Sequence, residues 1–140
     1  MAPSDTDRPS GIFDSDGWVA APDVIRTVAE ALRRIAEAWS LTPDEAARLL
    51  DVTAEDWDRI AAGTYDAPFE AGQLKRAGLR VALYSAQRAA FGGRLGTTWI
   101  MRPNTGPDYG GRRPVDRMLD EGVAGMMSVY RHLRSIQQPW

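Results

Sequence analysis

Apolar residues recur at intervals of three and four along most of this chain, the spacing of one face of an α-helix. From Pro22, a residue suited to a first helical position, Val24, Ile25, Val28, Leu32, Ile35 and Ala36 share a stripe. Arg26, Glu30, Arg33, Arg34 and Glu37 fall mostly outside it. Leu41-Thr42-Pro43-Asp44-Glu45 is a second helix start: Thr42 caps, Pro43 fits the first turn, and Glu45 stands three residues after the cap. Ala46, Ala47, Leu49 and Leu50 form its buried face, and Asp51-Val52 breaks it. Thr53 repeats the signal with Asp56. Trp57, Ile60 and Ala61 are the predicted apolar face of the third helix, and Gly63 ends it.

Tyr65-Asp66-Ala67-Pro68 reads as a connector. The longest helix is predicted from Phe69 to Phe91, lined by Leu74, Ala77, Leu79, Val81, Ala82, Leu83, Ala86, Ala89 and Ala90, with Gly92-Gly93 as its stop. Thr97 or Thr98 is the expected cap of a short helix carrying Trp99, Ile100 and Met101. Residues 103–111 hold strong breakers and predict a loop. Pro114 opens a helix with Val115, Met118 and Leu119 that Gly122 ends. The last helix is predicted from Val123 to Ile136, with Gln137 to Trp140 as a tail. No alternating strand pattern persists. The expected fold is all-α, with a helix-turn-helix-like unit at 21–64 and a C-terminal helical domain at 69–140. Residues 1–20, rich in Pro, Gly, Asp and Ser, predict a disordered tail, with Trp18 and Val19 as its first contact with the body.

The chain has 140 residues, 44% of them hydrophobic, enough for one compact domain or two very small ones. No apolar run is long enough for a membrane span, and the polar N-terminus lacks a signal-peptide core. The absence of cysteine excludes disulfides and thiolate metal sites, so a cytoplasmic location is expected. The net charge of −2 hides an asymmetry. Residues 1–68 carry 14 acids and 6 arginines, a balance of −8, and residues 69–140 carry 5 acids and 11 bases, a balance of +6. The halves therefore face different partners or each other.

A short helix, a tight turn and a second short helix from Leu41 to Gly63 have the outline of a helix-turn-helix. A DNA-binding reading names Thr53, Arg48 and Arg59. Against it, the exposed positions of the recognition helix include Glu55, Asp56 and Asp58, and phosphate contact calls for basic residues.

The C-terminal half presents Phe91-Gly92-Gly93 after a long helix, then Trp99, Pro103-Asn104, Gly110, Pro114, Leu119 and Gly122-Val123-Ala124-Gly125-Met126-Met127-Ser128-Val129. In order and spacing this closely resembles the toxin-binding domain of the Xre/MbcA/ParS antitoxin family. Trp39-x-Leu41-Thr42-x-x-Glu45-Ala46-Ala47-x-Leu49-Leu50-x-Val52, followed by Trp57, is similar to that family's Xre-like helix-turn-helix. The resemblance covers about residues 35–135. It implies an antitoxin of a type II toxin-antitoxin system. Its partner would be a RES-domain toxin that consumes NAD, and its C-terminal region would block the toxin's active-site cleft. It also implies operator DNA as a further partner, with autoregulation of the operon. The alternative is a stand-alone transcriptional regulator whose C-terminal domain dimerises.

Aromatics, Met and Arg are the residues enriched at interfaces. The expected toxin-binding residues are Arg112, Arg113, Met126, Met127, Tyr130, Arg131, Arg134, Gln137 and Trp140, with the segment from Tyr130 to Trp140 sealing the toxin's NAD site. Trp18, Trp39 and Trp57 lie in or near a front unit that buries little area alone, so the second unit or a symmetric dimer should cover part of its apolar surface, and a homodimer within a larger hetero-oligomer is expected.

No enzyme is expected, because no nucleophile, base and oxyanion donor converge. His132, the only histidine, reads as a solvent-facing helix residue; with no second His or Cys beside it, no metal site is expected. Gly92-Gly93-x-x-Gly96 follows a helix and lacks the Gly-Lys-Ser/Thr of a phosphate loop, so it reads as a helix stop. Asp44-Glu45 and Glu55-Asp56 read as first-turn acids that suit the helix dipole. No cofactor is expected.

Overall fold

The computed structural model describes residues 22–137, and all regular structure among them is helical. The order is α1 (Pro22–Ala38), α2 (Pro43–Leu50), α3 (Ala54–Ala62), α4 (Ala71–Phe91), α5 (Leu95–Thr98), a 3-10 turn (Trp99–Met101), α6 (Pro114–Glu121) and α7 (Val123–Gln137). The expected tail at 1–20, with Trp18 and Val19, lies outside the described residues, as do Gln138, Pro139 and Trp140. No helix among the described residues is long and apolar enough to cross a membrane.

The threonine caps are where the sequence puts them. Thr42 Oγ1 accepts from the Glu45 N–H at 3.1 Å, and Glu45 Oε1 accepts from the Thr42 N–H at 2.9 Å. Thr53 Oγ1 accepts from the Asp56 N–H at 3.0 Å. Between them Asp51, at φ 62°, ends α2 in the left-handed conformation, an uncommon one for a non-glycine residue that Asp tolerates better than most. Gly63 ends α3 at φ 77°.

Three local expectations need correction. The long helix starts at Ala71, not Phe69, because Phe69 is drawn wholly into the core, stacked on Tyr65 at 5.0 Å. Glu70 takes the cap position, its N–H donating to Gln73 Oε1. Thr98 holds the cap position of the 3-10 turn that carries Trp99, Ile100 and Met101, but its hydroxyl caps nothing there: a helix from Leu95 runs into the turn, and the Thr97 and Thr98 hydroxyls both donate to the Arg94 carbonyl at 3.0 Å. Ala61, Val81 and Ala89 are exposed, because the face turned inward is narrower than the apolar stripe of their helices.

Packing gathers two apolar clusters. The first joins α1, α2 and α3 with Tyr65, Phe69 and the start of α4. The second joins Ile35, Trp39 and Leu49 with the later part of α4, Ile100, Tyr109, α6 and α7. Helices α1, α2 and α4 contribute to both.

An ion pair ties α2 to α6. Arg113, at the N-terminal cap of α6, donates from Nη2 to Glu45 Oε2 at 2.9 Å and to Asp116 Oδ1 at 2.8 Å. Glu45 therefore caps its own helix with one oxygen and anchors α6 with the other. Partial burial works to raise its pKa, but hydrogen bonds from the Thr42 N–H and from Arg113 outweigh burial and hold it below the ordinary value. The Arg113 hydrogen bond holds Asp116 low as well.

A carboxyl whose pKa is depressed by folding contributes stability above its unfolded value and loses it as pH falls through the folded one. The melting temperature should therefore hold above about pH 5 and decline across about pH 5 to 3. Glu45→Gln keeps an oxygen for the Thr42 N–H but turns an amide group toward Arg113, so it should cost about 1 to 2 kcal/mol at neutral pH by breaking a partly buried ion pair, and should flatten the acid decline. Thermal melts of both proteins across that range test this; parallel profiles would show that Glu45 is not the titrating anchor.

Candidate functional site

The C-terminal half is shaped by chain stops and close approaches. Gly92, at φ 64°, halts α4 after Phe91. The chain then doubles back so tightly that a Cβ on Gly96 would stand 3.2 Å from the Arg88 Cα. The buried Gln87 secures this corner, its Nε2 donating to the Gly96 carbonyl at 2.9 Å. Beyond the 3-10 turn, the 102–113 loop is pinned at its neck. The Asn104 N–H donates to the Arg112 carbonyl at 3.0 Å, and the Gly111 N–H to the Asn104 carbonyl at 2.7 Å. Asn104 Oδ1 accepts from the Gly106 N–H at 2.8 Å, closing a turn of the Asx type. Gly110 and Gly111, both at positive φ, let the loop return after presenting Tyr109 inward.

These constraints bring four rings together around an open cleft of about 430 Å³. Its walls are Phe91, Trp99, Tyr109 and His132, with Ile136 at one side and the 104–108 turn at the other. Trp99 meets Tyr109 and His132 edge-on, with centroids 6.0 and 5.7 Å away, and Phe91 lies 5.2 Å from Trp99. The Tyr109 hydroxyl is 2.8 Å from His132 Nδ1. Burial, with a further push from Asp108 that Arg117 opposes, moves the Tyr109 pKa up to about 12, so the phenol keeps its proton at neutral pH. The hydroxyl donates to a bare Nδ1 or accepts from Nδ1–H, as the tautomer dictates, and in both cases the contact orients the ring. The volume falls within the range of small-ligand and side-chain pockets.

His132 is thus no solvent-facing residue. It is half-buried, hydrogen-bonded and part of an aromatic wall. Its partner lies 23 positions earlier, across a loop whose closure no local pattern announces. The one local signal was the four-residue spacing of His132 and Ile136, which puts both on one side of a helix.

The expected toxin-binding residues do not form one patch. Met126 is 1% exposed and belongs to the second core, where close packing of α7 on α4 and α6 consumes it. Met127, Arg131 and Arg134 are exposed and Tyr130 half-buried. At about 100° per residue, Met127 and Arg134 lie roughly 160° around α7 from His132 and Ile136. Gln137 continues the helix past the expected end, and its Nε2 donates to the Ala86 carbonyl at 3.0 Å, so it begins no tail. Arg112 pairs with Asp120, and Arg113 is committed to Glu45 and Asp116. Trp140 lies outside the described residues.

The residues of the DNA reading are likewise engaged. Thr53 is a cap, Arg59 pairs with Asp56 at 3.0 Å, and Arg48 approaches Asp44 at 3.7 Å. Among the described residues no three His, Cys, Asp or Glu side chains are grouped to hold a metal ion. A second concavity, about 300 Å³, runs between α1 and α4 and is almost wholly apolar, bordered by Val28, Ala31, Leu74, Gly78 and the exposed Val81.

No protein-family model, curated protein or solved structure matches the chain.

Proposed function

We propose that this chain is a protein-binding regulator without chemistry of its own: the antitoxin of a type II system, which blocks the active-site cleft of a RES-domain, NAD-consuming toxin. One observation carries the reading. Phe91, Trp99 and Asn104, which belong to the pattern resembling a toxin-binding domain, meet at a single open cleft in the basic half of the chain. Residues scattered over a pattern, yet gathered at one surface, are what a recognition site requires. Self-association belongs to the same reading. The groove between α1 and α4 leaves Val81 43% exposed, and a second copy covering that face would remove its apolar surface from water. Autoregulation of the operon would fall to the assembled complex, since the arginines of the α2–α3 unit are paired with acids.

The test is co-expression with the product of the adjoining reading frame. The two proteins should elute together, light scattering should show more than one copy of this chain, and cellular NAD should be preserved. The partner expressed alone should deplete NAD, and this chain alone should not. An adjoining product with no RES domain, or NAD loss that proceeds unchanged in the presence of this chain, overturns the reading.

A further inference from the structure

The aromatic cleft holds more information than a general interaction surface would. Its four ring walls hold one another: Phe91 lies tilted on Trp99, Trp99 meets Tyr109 and His132 edge-on, and Tyr109 stacks on His132 at 5.5 Å. Ile136, 37% exposed, extends the apolar wall outward. Asp108 lines the cleft without an ion-pair partner among the described residues, so a carboxylate acceptor stands at a mostly aromatic site.

The charges around it are sorted. Arg112, Arg113 and Arg117 are neutralised by Asp120, by Glu45 with Asp116, and by Glu121. Arg94, Arg102 and Arg131 stand exposed on the segments that build the cleft, and none has an acidic partner among the described residues. The cleft thus combines apolar walls and an unpaired carboxylate, and the segments that build it carry three exposed arginines without an acidic partner.

We propose that this cleft is a socket for a tryptophan or tyrosine side chain presented by an acidic segment of a partner protein. The ring would lie in the cleft, against the wall that Trp99, His132 and Ile136 line. Its N–H or O–H would donate to Asp108, which separates these two side chains from phenylalanine. Flanking carboxylates would meet Arg94, Arg102 and Arg131, which face solvent and act mainly on encounter rate and register. A buried aromatic anchor inside a charged rim is the arrangement that concentrates binding energy in few residues. The proposal deepens the antitoxin reading and rests on it only in taking the occupant to be part of a protein.

The socket can be tested on the full chain with defined peptides, followed by amide NMR. The probe is acetyl-Glu-Asp-Trp-Asp-Glu-amide. Its comparisons are the same peptide with Ala or Phe at the centre, acetyl-Lys-Lys-Trp-Lys-Lys-amide, and free indole-3-acetate. The acidic tryptophan peptide should shift signals of residues 99, 104–109, 132 and 136. It should bind at least tenfold more tightly than the alanine and lysine peptides and several-fold more tightly than the phenylalanine peptide and indole-3-acetate. Ile136→Glu and Arg131→Glu, both at exposed positions, should each weaken it at least fivefold with the melting temperature unchanged.

Equal binding of the alanine peptide would reduce the surface to a charge patch. Equal binding of indole-3-acetate would make it a small-molecule site. Equal binding of the lysine peptide, no discrimination against phenylalanine, or no shifts at these residues would also overturn the socket. None of these outcomes touches the co-elution and NAD measurements, so the socket and the antitoxin reading fail separately.

Discussion

Gly125→Ala should lower the melting temperature by about 8 °C, although alanine is the better helix former. Gly125 lies in the first turn of α7, three residues after the chain reverses at Gly122 and two after α7 begins at Val123. Helices α6 and α7 are joined by that single residue, so their backbones cross in near contact. A Cβ at 125 would stand 2.5 Å from the Arg117 carbonyl oxygen and 3.0 Å from the Glu121 Cβ. The nearest obstacle is main chain, which has no rotamer to change. The propensity gain of alanine over glycine is about 1 kcal/mol, and forced overpacking costs about 3 kcal/mol at the upper end of its usual range. The steric cost wins, leaving about 2 kcal/mol of net destabilisation, or about 8 °C for a domain of this size. Because α7 also carries His132 and Ile136, the same substitution should weaken the acidic tryptophan peptide. A melting temperature equal to or above that of the wild type would show that α6 yields without cost and that the close crossing is not a constraint.

Replacements of Arg80 should part in two directions. Arg80 is 1% exposed, has no carboxylate partner, and lies with its guanidinium carbon 5.9 Å from the centre of the Trp57 ring. Its Nη2 donates to the Ala46 carbonyl at 3.0 Å, while Nη1 has no hydrogen-bond partner. Burial moves its pKa down to about 9, which still leaves it charged at neutral pH. The charge sits against the middle of α2, at the Ala46 carbonyl. Arg76 Nη1 reaches the Leu49 carbonyl at 3.5 Å, and Gln73 Nε2 reaches the Asp51 carbonyl at 3.2 Å. One face of α4 therefore binds α2 from its middle to just past its end, through three side chains at helical spacing.

Arg80→Ala empties a fully buried site and should cost about 3 to 4 kcal/mol, within the range for truncating large buried side chains. Arg80→Met keeps most of the volume and removes an incompletely satisfied charge. It should remain within about 1 kcal/mol of the wild type, because a buried charge repays its desolvation poorly. Urea unfolding of the three proteins decides the matter. If methionine is as damaging as alanine, the cation's hold on α2 outweighs packing, and the ledger assigned here to volume belongs to electrostatics.

Much of the architecture was legible before any coordinates, for reasons that are local. Thr42 with Glu45 and Thr53 with Asp56 start helices because a side-chain oxygen three residues from a free N–H can satisfy it wherever the segment lies. Gly63, Gly92 and Gly122 stop helices because positive φ costs glycine little. The periodic apolar stripe of α1 buries Ile25, Leu32 and Ile35 as its spacing requires. The errors came where tertiary packing competes with periodicity. Phe69 looked like the start of a helix, and the core took it as an anchor outside one. Met126 and Met127 look alike as neighbours, yet a 100° step along α7 buries the first and exposes the second.

The cleft was the least legible feature. Phe91, Trp99, Tyr109 and His132 are separated by 8, 10 and 23 positions, and no periodicity links them. They meet because Gly96 permits a close turn beneath α4, Asn104 closes the loop neck, and Gly125 lets α7 lie against α6. Each enabling residue acts through the contact its backbone or side chain makes with a distant segment, and pattern in one dimension carries no record of such contacts. Capping, periodicity and chain reversal are short-range, so the order of residues was enough to establish an all-helical chain. Which rings face one another, which arginines are neutralised and which methionine is buried depend on packing between distant segments, and the folded arrangement alone settled them.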